Sequence, residues 1–163
     1  MQELINEINQ TKTRLTAAIN AFNEAEFNQV PFEGSWTPAE VSEHISKASA
    51  PEVLYGPTKE TTRQPDEKVA QLKSIFLDFS TRMKSPDFIL PSGDAHTKEE
   101  MIKGLEEKCN GFAEAAATLN LNETCTAFEM PGMGHLTRLE LITFFLVHTQ
   151  RHTHQLEEIK KKI

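Results

Sequence analysis

Apolar side chains recur along this chain at steps of three and four, the spacing of one helical face rather than the alternation of a strand. Leu4, Ile8, Thr11, Leu15, Ala18 with Ile19, and Phe22 follow that step and predict a first helix of about six turns. A loop carrying Pro31 and Gly34 separates it from "TPAEVSEHISKASA", whose start is marked three ways. Thr37 stands as N-cap, Pro38 takes the first helical position, and Glu40 is placed to close a capping box. The same box recurs at Thr97 with Glu100 and at Thr137 with Glu140, each time opening an apolar-periodic run. The third helix carries Ile102, Leu105, Cys109, Phe112, Ala116 and Leu119 on one stripe, and the last extends from about Thr137 to the C-terminus.

The connection from Tyr55 to His96 carries a shorter helical pattern, Val69, Leu72, Phe76, Phe79 and Met83, that stops at Ser85-Pro86. Pro51 is expected to kink or end the second helix early. No segment alternates convincingly enough for a strand; "DFILPSG" is short and interrupted by Pro91. The expected fold is therefore all-α: a single domain over residues 1–163, a four-helix bundle with one long crossover. That crossover carries the extra short helix between helices two and three.

Composition excludes several function classes. A net charge of -7 leaves no basic stripe for a phosphate backbone, and "KKK" at 160–162 reads as cations complementing a helix C-terminus. No window approaches the ~20 apolar residues that span a bilayer. The opening "MQELINEINQ" has neither the basic nor the apolar region of a signal peptide. Cys109 and Cys125 are too few and too far apart for a disulfide framework, which favours a reduced, cytoplasmic protein.

The chemistry concentrates in "HTQRHTHQL", residues 148–156. On a helix, residues four apart lie about 40° apart around the axis, and residues two apart about 200°. His148 and His152 therefore share a face, together with Leu141, Phe144 and Phe145, whereas His154 points nearly opposite His152. An HxxxH pair by itself is weak evidence, because a histidine on an apolar face is most often a satisfied core residue. His44 changes the balance: it follows Val41 by three and precedes Ala48 by four, inside the apolar stripe of the second helix. Burying three imidazoles without partners costs several kcal/mol, and convergence on one cation removes most of that cost. Three imidazoles with open positions is the pattern of a catalytic site, since structural zinc sites are closed by four protein ligands.

The other histidines read as surface residues, His96 before a capping Thr and His135 in the "PGMGH" approach to the last helix. Trp36 reads as a packing residue at the start of the second helix, and Arg151 as solvent-exposed. Glu43, Glu52 and Gln155 are spaced to approach the site, with nothing to choose a general base among them. No phosphate-binding glycine loop, GxSxG elbow or HExxH is present.

"WTPAEVSEHI", followed about a hundred residues later by "GHLTRLELITFFLVHTQRHTHQL", resembles the DinB/YfiT-like superfamily over essentially the whole chain. The resemblance implies a four-helix bundle in which one histidine of the second helix and an HxxxH pair of the last bind a divalent metal. Carried over by position, the ligands are His44, His148 and His152. It further implies one ion, zinc or nickel ahead of iron, and often a homodimer. The implied activity is metal-dependent chemistry on a small molecule, thiol S-transfer with a low-molecular-weight thiol ahead of hydrolysis. A non-enzymatic metal-binding or stress-response module is the alternative.

Overall fold

A computed structural model describes residues 1–163. Six α-helices follow in order: α1 Gln2–Asn20, α2 Glu24–Phe27, α3 Pro38–Ala48, α4 Val69–Phe76, α5 Lys98–Thr118 and α6 Arg138–Lys160. The only sheet is a ribbon of two-residue strands, β1 Thr58–Lys59 and β2 Thr124–Cys125, paired antiparallel. It links segments far apart in sequence, so it is not a hairpin.

The long helices α1, α3, α5 and α6 form the bundle. Both α1 and α3 pack against α5 and α6, so α1 and α3 sit diagonally opposite each other. Ile8, Cys109, Phe112, Ile142, Phe145 and Leu146 fill one part of the core, with the Phe112 and Phe145 rings stacked at 4.0 Å. Leu15, Ile19, Phe27, Val41, Ile45 and Leu156 fill the other. The crossover helix α4 lies on α6, where Leu72 and Phe76 cover Val147.

Two of the three expected capping boxes close in full, at Thr37 with Glu40 and at Thr137 with Glu140. The third closes by half: Thr97 accepts from the Glu100 amide, but the Glu100 carboxylate turns to the Thr97 hydroxyl instead of its backbone. A fourth box, Asn23 with Glu26, opens α2, a helix of four residues that is too short to show a period in the sequence. The short crossover helix ends at Phe76 rather than running to Met83. Asp78 accepts from the Ser80 amide and hydroxyl, and this local turn outcompetes another helical turn. Helix α3 stops at Ala48, and Pro51 begins a 3₁₀ turn over Pro51–Tyr55. "DFILPSG" contains a second 3₁₀ turn, Asp87–Ile89, and no strand.

Glu140 fixes where the crossover meets α6. It is fully buried, and its carboxylate accepts a two-pronged pair from Arg63 at 2.6 Å each, plus the Lys68 amide at 2.8 Å. Burial pushes the Glu140 carboxyl up, but these donors outweigh that and hold it below its ordinary range. The capping residue of α6 is thereby the anchor that holds α4 on α6, beside the histidines. No helix is long and apolar enough to cross a membrane.

Candidate metal centre

Helix α6 is buried on several sides, and its residues divide by face. Thr149 and Thr153 are buried, and Gln150 donates to Thr11 of α1. His148 and His152 turn toward α3, and Arg151 and His154 toward the segment after α4. From α3, His44 meets the pair. Ring centroids lie 5.0 Å apart for His44 and His148, 4.6 Å for His44 and His152, and 4.5 Å for His148 and His152. One nitrogen from each ring lies within 4.8 Å of the others, and no fourth His, Cys, Asp or Glu joins the group. His44 and His148 are buried, at 1% and 5% exposure, while His152 is half-buried.

Outer partners set the ring orientations. The His44 Nδ1 lies 2.8 Å from the Ile89 carbonyl, which only accepts, so Nδ1 carries the proton and Nε2 presents its lone pair. The His152 Nδ1 is likewise 2.7 Å from Gln155 Oε1. The His44 Nε2 then stands 3.1 Å from the His148 Nε2. For two neutral rings this contact is favourable only if His148 is protonated there. Tetrahedral zinc, with Zn–N near 2.0–2.1 Å, spaces its ligand nitrogens by about 3.3 Å. The three-imidazole set could therefore hold a divalent ion, with no fourth His, Cys, Asp or Glu to close it.

Electrostatics agree with neutral, ligand-ready rings. Burial lowers the His44 pKa. Burial, then the neighbouring His152, His44 and Arg151 charges, holds His148 well below the ordinary histidine value. Burial and the His44 charge bring His152 down to about 4.

The site opens on a cavity of about 1070 Å³, into whose wall Trp36, Phe76 and Phe144 project. Trp36 packs on the core as expected, and its ring lies 5.1 Å from the His44 ring at the cavity wall. His154 stays outside the cluster and stacks on Phe79 at 4.2 Å. Arg151 is not solvent-exposed as expected: its guanidinium donates to the carbonyls of Phe76, Asp78 and Thr81, tying the end of α4 to α6. Those acceptors lie some seventy residues away, so helical spacing carried no sign of them. His96 and His135 are half-buried and apart from the cluster, with His96 3.3 Å from Glu43 and His135 bonded to the Phe128 carbonyl.

Of the three residues considered as bases, only Gln155 lines the cavity. Burial raises the Glu43 carboxyl, but donors from Lys47, Ser92 and His96 outweigh it and hold it at about 2. The segment from Phe79 to Leu90 forms much of the cavity wall; Phe79 and Met83 carry a helical period, but the chain turns at Asp78 and the wall is irregular.

No solved structure matches the chain. YuaE of Bacillus subtilis (strain 168), itself uncharacterized, is 26% identical over 162 residues, covering 95% of this chain and 96% of YuaE. The DinB superfamily model matches residues 7–156, from the first helix through the last histidine-bearing turn, and the chain belongs to the DinB superfamily.

Proposed function

We propose that residues 1–163 act as one DinB-type domain that binds a single divalent ion through His44, His148 and His152 and uses it on a small molecule. The observation that carries this reading is the convergence of three neutral imidazoles on one point at the wall of a large apolar cavity. The Ile89 carbonyl and Gln155 hold two of the rings with their ligating nitrogens inward, as outer partners do in metal sites. A divalent ion held by these three histidines would supply Lewis-acid activation of a thiol or of water. Zinc or nickel suits three imidazoles, ahead of iron.

Thiol S-transfer is favoured over hydrolysis on the character of the remaining residues. Attack by water calls for a general base within hydrogen-bond reach. Gln155 cannot serve, and Glu43 at about 2 is too weak a base at neutral pH. A thiol, with an ordinary pKa of ~8.5, ionises far more easily and needs no such partner. A homodimer in the reducing cytoplasm completes the reading, and both cysteines are free and buried, as such a compartment permits.

The experiment is metal analysis of untagged protein, followed by a panel of low-molecular-weight thiols with electrophilic acceptors. One ion per chain and metal-dependent thiol consumption are expected. One ion per chain without turnover of any thiol or ester would favour the non-enzymatic module. Protein that takes up no zinc, nickel or iron would refute the centre itself.

A further inference from the structure

Eight of the chain's ten phenylalanines and its single tryptophan line the cavity beside the histidines. At about 1070 Å³ it sits at the upper limit of pockets for drug-sized ligands, roughly 300–1,000 Å³. A small hydrophilic thiol would leave most of that aromatic wall facing water, so the wall fits a bulky apolar body.

The charges around it are one-sided. Five cationic side chains, Lys47, Arg82, Lys84, Arg151 and Lys162, border the cavity against two carboxylates, Asp87 and Glu158, in a chain of net charge -7. Three of the five cations are occupied. Lys47 pairs with Glu43 and the Leu90 carbonyl, Arg151 caps α4, and Lys162 lies over the Phe32 ring. Glu158 is likewise engaged, by Lys161. Arg82 and Lys84 remain, exposed on the wall segment beside Met83 and Phe88, with no protein acceptor. Met83 and Phe88 are themselves 46% and 68% exposed, an apolar surface next to two free cations.

We infer that the cavity accepts an amphipathic acid: a bulky, largely aromatic or aliphatic body against the phenylalanine wall, and an anionic group at Arg82 and Lys84. This rests on the metal reading only in placing the ligand's reactive end toward the histidines. The recognition itself lies in side chains that no metal touches. The anion gains two cations already at the rim, and the body gains burial in proportion to its apolar area.

The probes are anilinonaphthalene sulfonate and its uncharged relative phenylnaphthylamine, titrated by fluorescence into metal-loaded and metal-free protein. The sulfonate is expected to bind one per chain, about tenfold tighter than the uncharged probe, equivalent to ~1.4 kcal/mol. In Arg82→Gln/Lys84→Gln that preference should collapse while the uncharged probe binds as before; both positions are exposed, so folding is not at issue. Phe88→Ser should weaken both probes alike. Added salt should erode the sulfonate's advantage, because these cations face solvent. Equal affinity for the two probes, or an unchanged preference in the double variant, overturns the proposal. Metal content is measured on the same samples, so the two readings fail separately. Protein that takes up no metal on loading yet keeps the preference sinks the histidine centre and upholds the amphipathic site, whereas protein that loads one ion per chain but lacks the preference does the reverse.

Discussion

Acid should destabilise the metal-free protein through the buried histidines, and His152 supplies a magnitude. Its folded pKa is about 4, against ~6.5 in an unfolded chain. At neutral pH both states are deprotonated and the shift contributes nothing. As pH falls below ~6.5 the unfolded chain takes up a proton that the folded site refuses, so stability falls, and it levels off only near the folded value of about 4. Between about pH 7 and about pH 5, with ~1.4 kcal/mol for each tenfold change in proton activity, His152 alone costs ~2 kcal/mol. For a chain of this size that is a fall in Tm of about 4–8 °C. The assay is urea unfolding of chelator-treated protein at the two pH values, comparing wild type with His152→Gln. Glutamine does not titrate, so the variant should lose about 2 kcal/mol less over the same window. His148 acts in the same direction, since removing His152 takes away a charge that opposes its protonation. Identical pH dependence in the two proteins would show that His152 is not held neutral by its surroundings and would refute the reasoning.

Three further outcomes are expected. His152→Ala should lose most bound metal and His154→Ala none, because His154 is stacked on Phe79; equal losses by metal analysis would require a different ligand set. Chelation at neutral pH should lower the Tm of metal-loaded wild type, since an ion at a hundredfold excess over its dissociation constant adds ~2.7 kcal/mol; His44→Ala should respond weakly. Arg63→Met should cost ~3–5 kcal/mol in urea unfolding by stranding the buried Glu140 carboxylate, and Arg63→Met/Glu140→Met should recover much of it.

What could be read from the sequence was what helical geometry makes local. Thr37, Thr137 and their glutamates announced the starts of α3 and α6, because a capping box is satisfied within four residues. The pairing of His148 with His152, and the exclusion of His154, followed from the turn angle alone. His44 joined them because its helix was legible as well. The features that stayed hidden depend on distant partners. Nothing near Glu140 reports that Arg63, 77 residues away, uses the same carboxylate. Arg151 looked like an ordinary surface cation because the carbonyls it caps belong to another element. Phe79 and Met83 continue the period of α4, yet the chain turns at Asp78, where a side chain bonding its own neighbourhood prevails over propagation.

These hidden contacts explain why the site takes the form it does. A four-helix bundle closes its interior with helices alone, and a cavity of this size would be costly if the core had to fill it. Here α4 covers only the part of α6 around Val147, and the irregular segment after it supplies the rest of the wall. That segment is held at one end by Arg151 and at the other by His44, Lys47 and Glu43, through Ile89, Leu90 and Ser92. Two of the residues that tie it down are thus His44 of α3, a member of the histidine cluster, and Arg151 of α6, the chain neighbour of His152. The Ile89 carbonyl both orients the His44 ring and fixes one end of the cavity wall. The polar contacts sit at the ends of the segment and leave Arg82 to Phe88 free of them, so its exposed apolar and cationic middle can meet a ligand without loosening the centre.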